Sequence, residues 1–142
     1  MKSLKYVERK PSSLVNDLLI VTDRDLALLT ALQPHEQLRS ELDRAIVVSS
    51  EAVPQDVVTM NSTVLYVDET TGERRAVKIV YPVEADAREG RISVLAPVGT
   101  ALLGLSLGQP IEWEFPGGRR RLRVEKMIYQ PESNGHHGLI PG

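Results

Sequence analysis

The sequence predicts an α+β protein in which a short helical hairpin precedes a β domain, and three observations carry that expectation. Apolar residues between positions 22 and 48 recur at helical spacing. From about residue 57 the period changes to two, with branched residues enriched. The segment EWEFPGGRRRLRV, residues 112–124, then reads as two charged strands closed by a tight turn. A length of 142 residues with 42% hydrophobic content is enough for one domain with its own core.

Residues 1–21 form an N-terminal extension. A polar stretch holding Lys2, Lys5, Arg9 and Lys10 is followed by apolar Leu18, Leu19, Ile20 and Val21, which suggests a frayed start and a short extended piece. Residues 22–53 form the hairpin. Thr22 with Asp25 three residues on approximates a helix-start signature, and Leu26, Leu28, Leu29 and Leu32 supply an apolar stripe that ends before Pro34. A second helix is expected over residues 35–48, with Leu38, Leu42, Ala45 and Ile46 inward and Arg39, Glu41, Asp43 and Arg44 outward.

Residues 54–131 form the β domain. Strands are expected over 57–60, 63–67, 74–81 and 91–95, a turn at 69–73 around Gly72, a loop or short helix at 84–90, and one or two helical turns over 98–104. The tail 132–142, rich in Gly, Pro, Ser and Asn, is expected to be mobile. If Gly117 and Gly118 make the turn of the last hairpin, Phe115 faces Arg120, Glu114 faces Arg121, Trp113 faces Leu122 and Glu112 faces Arg123. Ile111, Trp113, Leu122 and Val124 then share the core face. Two opposite-charge pairs line the other, each contributing roughly 0.2–1 kcal/mol.

Several function classes are disfavoured. No stretch reaches the roughly 18 apolar residues of a membrane span, and the first twenty residues lack a signal-peptide pattern, so a cytoplasmic protein without a membrane partner is expected. The absence of cysteine rules out disulfides and thiolate metal sites. With a net charge of −2 there is no global field for phosphates, and direct sequence-specific nucleic-acid binding is not expected. The basic run Arg119, Arg120, Arg121 and Arg123 is read as solvated cross-strand pairing with Glu112 and Glu114. The glycines of APVGTALLGLSLG lack the following Lys and Ser or Thr of a phosphate-binding loop. His35 reads as a solvated turn residue, and the adjacent side chains of His136 and His137 diverge, leaving no metal set. No nucleophile, acid–base pair, metal or cofactor site is indicated, and the protein reads as non-enzymatic.

The segment SVLAPVGTALLGLSLGQPIEWEFPGG, residues 93–118, places an apolar loop between strands where a polar one is usual. With DVVTMNSTV, residues 56–64, and Tyr81 and Pro82, it resembles the C-terminal domain of the GreA/GreB family of bacterial transcription factors, over about residues 36–131. The similarity is greatest to the Rnk branch, the regulators of nucleoside diphosphate kinase. The resemblance implies an FKBP-like antiparallel β domain and RNA polymerase as partner, bound near its secondary channel. It implies that Pro97, Val98, Gly99, Ala101 and Leu102 lie in the polymerase contact; Ala96 and Gln109 depart from the usual Ser and Asp of that loop. Gre factors carry paired carboxylates at the tip of a long helical arm, whereas the turn here offers only Glu36 and a helix of about 14 residues spans roughly 21 Å. The resemblance therefore implies competition with Gre factors without stimulation of transcript cleavage. The FKBP-like fold is shared with peptidyl-prolyl isomerases, and an isomerase-like or small-molecule-binding module is the competing reading. An aromatic content of 4% argues against a proline pocket lined by rings.

Overall fold

The computed structural model describes residues 19–134, so the polar start and the His136–His137 pair lie outside the described residues. Strand β1, Ile20–Thr22, leads into helix α1, Asp23–Ala31. Thr22 caps that helix as its sequence suggests, its hydroxyl accepting the Asp25 N–H at 3.0 Å. The turn passes through Gln33, at a φ of 54°, to helix α2, Glu36–Arg44. Leu29, Leu38 and Leu42 turn to the core, and Glu41, expected on the outer face, is also buried and paired with Arg44 at 3.0 Å.

The second helix is shorter than its periodicity suggests. Ala45 turns extended and residues 46–48 form strand β2, Ile46–Val48, parallel to β1 in the register Ile20↔Ile46. The cause is a backbone bond unavailable to a helix: the Ile46 N–H donates to the Leu19 carbonyl at 2.7 Å, and a run of three branched residues suits the extended ladder. Ile46 consequently leaves the core stripe and is 42% exposed.

The main sheet has five strands in the order β5-β4-β3-β7-β6, comprising β3 (Thr63–Asp68), β4 (Glu73–Val80), β5 (Arg91–Ser93), β6 (Pro110–Phe115) and β7 (Gly118–Tyr129). The expected antiparallel sheet is in fact mixed. β3, β4, β6 and β7 pair antiparallel, but two 3₁₀ turns, Pro82–Glu84 and Ala87–Glu89, return the chain so that β5 runs parallel to β4. The expected strand at 57–60 is irregular instead. Val57 makes an isolated bridge to Ser106, and Val58 exchanges backbone bonds with Leu105 and Gly104 at 2.9 Å. Val57, Val58, Thr59 and Met60 are all at most 2% exposed, so this segment is buried on every side and has no open face for alternation. No helix among the described residues is long and apolar enough to cross a membrane.

The last hairpin turns on Pro116 and Gly117, with Phe115 opposite Gly118, not on the two glycines. Proline's fixed φ suits the first turn position, and Gly118 takes the left-handed side at φ 126°. The pairs are therefore Glu114↔Arg119, Trp113↔Arg120 and Glu112↔Arg121, a displacement by two residues that preserves which face each side chain takes. Ile111, Trp113, Leu122 and Val124 are buried as expected. On the other face Arg119 meets Glu114 at 3.5 Å and Arg121 meets Glu112 at 3.7 Å. Glu69, from the β3–β4 turn, adds contacts to Arg121 at 2.7 Å and Arg123 at 2.6 Å, and the guanidinium bonds of Arg123 and Arg121 hold its carboxyl below the usual range. The basic run is thus neutralised along its own face. Arg120, on the apolar face, lies 5.5 Å from the Phe115 ring centre and 3.4 Å from Asp68.

Because Gly118 has a positive φ and Gly117 does not, Gly118→Ala is expected to destabilise by about 1 kcal/mol or more and Gly117→Ala by only a few tenths. Urea unfolding of both variants checks this; equal losses would restore the two-glycine turn.

Candidate functional site

Helix α3, Pro97–Leu102, supplies the helical turns expected within the apolar segment. Pro97 opens it at a position where a missing N–H costs nothing, and the Thr100 N–H closes the first turn on the Ala96 carbonyl at 2.9 Å. The approach of this helix to β5 is extreme. A Cβ on Gly99 would sit 2.1 Å from the Ser93 carbonyl oxygen and 2.9 Å from the Val94 Cα, so no larger residue fits without moving backbone. Thr100 fixes the same contact by donating its hydroxyl to the Val94 carbonyl at 2.7 Å.

The five residues singled out in the sequence separate into two groups. Pro97 is exposed and Val98 half-buried, and these two present the surface. Gly99 is buried and Ala101 and Leu102 are 0% exposed, so a partner meets none of their side chains while the domain is folded. The reason is helical geometry: about 100° of rotation per residue carries positions 101 and 102 round to the core, where they join Val94 and Leu105. Gly99, Ala101 and Leu102, expected with Pro97 and Val98 in one surface, thus lie beneath those two residues.

Beside this surface lies the end of the helical arm, where His35 is exposed in the turn as expected and is also hydrogen-bonded. His35 is the N-cap of α2, its Nδ1 accepting the Leu38 N–H at 3.1 Å. Its Nε2 faces the Leu95 carbonyl at 3.2 Å and the Thr100 hydroxyl oxygen at 3.4 Å. Nδ1 as acceptor assigns the proton to Nε2, which therefore donates to Leu95 across 60 positions of sequence. Pro34 is buried, and its carbonyl accepts from Arg39 at 3.3 Å. The arm's turn is thereby laid against the body next to Pro97. No signal in the local sequence reveals the bond from His35 to Leu95.

Glu36 is the single carboxylate in residues 31–38, and Asp23 and Asp25 lie at the far end of α1. No group of three or more His, Cys, Asp or Glu suited to a metal ion occurs among the described residues. Trp113 and Phe115 are 2% and 8% exposed within the core. A cavity of about 10 Å³ beneath α2, lined by Leu19, Leu38 and Leu103 among others, has room for about one water. A larger groove, about 410 Å³, runs open along the end of β7 past Leu107 and Ile128.

A mixed five-stranded sheet, a short helix packed on its edge and a preceding helical arm define a domain of the type found in transcription elongation factors. The family description "Transcription elongation factor, GreA/GreB, C-term" matches residues 53–129, and the chain belongs to the GreA/GreB family. It is 41% identical over 138 residues to the "Regulator of nucleoside diphosphate kinase" of Escherichia coli (strain K12), covering 92% of this chain and 98% of that one. "Transcription elongation factor GreA" of Bradyrhizobium diazoefficiens is 35% identical over 94 residues, 66% of this chain and 60% of that protein. Among solved structures, "Prokaryotic transcription elongation factor GreA/GreB from Nitrosomonas europaea" superposes with a TM-score of 0.64 at 40% identity, over 79% of this chain and 98% of that one. The similarity to the regulator extends over nearly the whole chain, whereas to GreA it is confined to about two thirds of it. This places the chain in the Rnk branch.

His35→Ala removes both the cap and the tie to Leu95. It is expected to cost about 1–2 kcal/mol, with His35→Asn recovering the cap and part of that loss. Chemical denaturation of the two variants tests this; an alanine variant as stable as the parent would show that the tie carries no energy.

Proposed function

We propose that this protein is a non-catalytic transcription regulator that binds RNA polymerase near its secondary channel through the surface around Pro97 and Val98, competing with Gre factors without stimulating transcript cleavage. Membership of a transcription-factor family supports the broad role. The observation that carries the finer reading is the arm. Each helix has nine residues, about 13.5 Å at 1.5 Å per residue, and the turn between them is held to the body by His35. An arm of that length and attachment does not extend chemistry to a distant active site. Its turn also offers one carboxylate, Glu36, where a magnesium ion held by protein needs a preorganised set of oxygen ligands.

Rigid placement of Pro97 and Val98 favours their use in docking. α3 is locked to β5 by Gly99 and Thr100, so little conformational freedom is lost when a partner covers it. The expected RNA polymerase contact is thus narrowed to Pro97 and Val98, with Gly99, Ala101 and Leu102 as their support.

Immobilised protein is expected to capture purified core RNA polymerase. Pro97→Asp should weaken capture about tenfold or more with an unchanged unfolding midpoint, whereas a charge at Leu102 would unfold the domain. With backtracked complexes, saturating protein alone should leave transcripts intact and should reduce cleavage stimulated by an added Gre factor. Transcript shortening by the protein alone, or cleavage unaffected by its presence, would overturn the proposal.

A further inference from the structure

Asp25 is a helix-start residue whose side chain is not in solvent. It is 6% exposed, on the face of α1 turned to the β domain. Its Oδ2 accepts the Met60 N–H at 3.1 Å, and its Oδ1 lies 3.5 Å from the Tyr81 hydroxyl, which follows β4. Glu132, in the 3₁₀ turn Glu132–Asn134 after β7, is 9% exposed and accepts the Thr59 hydroxyl at 2.7 Å. Thr59 is bonded in turn to Ser62, its hydroxyl at 2.9 Å from Ser62 Oγ. Four separate elements, α1, the 57–62 segment, the end of β4 and the C-terminal turn, therefore meet around two buried carboxyl groups.

Among the described residues, no Lys or Arg forms an ion pair with either carboxyl group. Tyr81 and Glu132 are the titratable groups facing Asp25 from the body, Arg24 on α1 bears on Tyr81, and the 57–62 segment supplies none. Two like charges enclosed without a cation are costly, and a proton on one relieves the cost. Desolvation, reinforced by the charge of Glu132 and offset in part by the Met60 amide, pushes the Asp25 carboxyl from 3.8 up to about 6. Burial and the neighbouring Asp25 charge also raise the Tyr81 hydroxyl.

We propose that the Asp25–Glu132 pocket is a proton-operated latch between the helical arm and the β domain, tight when Asp25 carries a proton and loosened when it ionises. The neutral acid keeps Oδ2 as acceptor for Met60 and removes the opposition of Glu132. The ionised form keeps the same bond but leaves two facing charges in a closed space. Since the folded value lies above the unfolded one, the folded state binds the extra proton. Its stabilisation is fully present below pH 3.8 and is lost as pH rises through about 6. Over the upper part of that interval, acidification strengthens the hold on α1, and through α1 on the arm that ends beside Pro97.

Asp25→Asn removes the titration while retaining an acceptor for Met60 and a donor toward Tyr81. In the full chain, the ratio of the unfolding constants of parent and variant is expected to fall about a hundredfold between pH 7.5 and pH 4, the variant being the more stable at pH 7.5. Groups that do not interact with Asp25, His35 among them, are common to both proteins and drop out of that ratio. Hydrogen exchange of α1 amides, corrected for intrinsic rates, should slow in the parent from pH 7.5 to pH 5 and stay level in the variant. Carbon-detected NMR of the parent alone should give an Asp25 carboxyl midpoint near 6, a readout that survives failure of the variant to fold. A midpoint near 4, a pH-independent ratio, or α1 protection that ignores pH would each overturn the latch.

Discussion

The close approach of the Gly99 backbone to that of Ser93 and Val94 sets the position of nearly everything on the functional side. A single added carbon would lie 2.1 Å from the Ser93 carbonyl oxygen, so α3 can sit on β5 only with glycine there. Given that contact, helical rotation sends Ala101 and Leu102 into the core and leaves Pro97 outside. Thr100 comes within 2.7 Å of the Val94 carbonyl, and the Leu95 carbonyl is left free to meet His35. Moving the helix outward by the width of a methyl group would break these bonds together and open a void beneath Leu102. The surface is therefore a consequence of backbone packing more than of its own side chains.

The helical arm depends on the same packing from the other side. Its base is held by β1, which pairs with β2 and takes a backbone bond from the Ile20 N–H to the Gly104 carbonyl, just beyond α3. Its turn is held by His35, and its middle by Leu29, Leu38 and Leu42 against the core. An arm fixed at base, middle and turn is part of the domain surface. Asp25 sits within this attachment as a buried polar group whose Oδ2 satisfies the Met60 N–H, a donor that an apolar residue at this position would leave unpaired.

Much of this was legible in the sequence where the governing interaction is local. The Thr22 cap, the extent of α1, the glycine turn near Gly72 and the alternation in the last hairpin all follow from residues within a few positions of one another. The hairpin's register escaped because PGG allows two adjacent turns, and only the positive φ at Gly118 separates them. The end of α2 escaped because residues 46–48 continue a helical stripe yet take their ladder from β1, more than twenty positions earlier. The family pattern located the loop around Pro97, but not which of its residues emerge, since that depends on how α3 sits on β5. The partners of His35, Glu69 and Asp25 lie 35 to 60 positions away, beyond the reach of local spacing.

The structure lays the turn of the arm against the body, through His35 and the Leu95 carbonyl, instead of letting it project. A chain without cysteine allows two spin labels to be placed cleanly, at Gln33→Cys in the turn and at Leu107→Cys, exposed between α3 and β6. Pulsed electron resonance on that pair reads the separation of arm and body. The folded-back arrangement predicts one narrow distance distribution at neutral pH, unchanged when saturating core RNA polymerase is added. A broad distribution in the free protein, or a lengthening in the complex, would mean that the arm swings out, and would contradict the account.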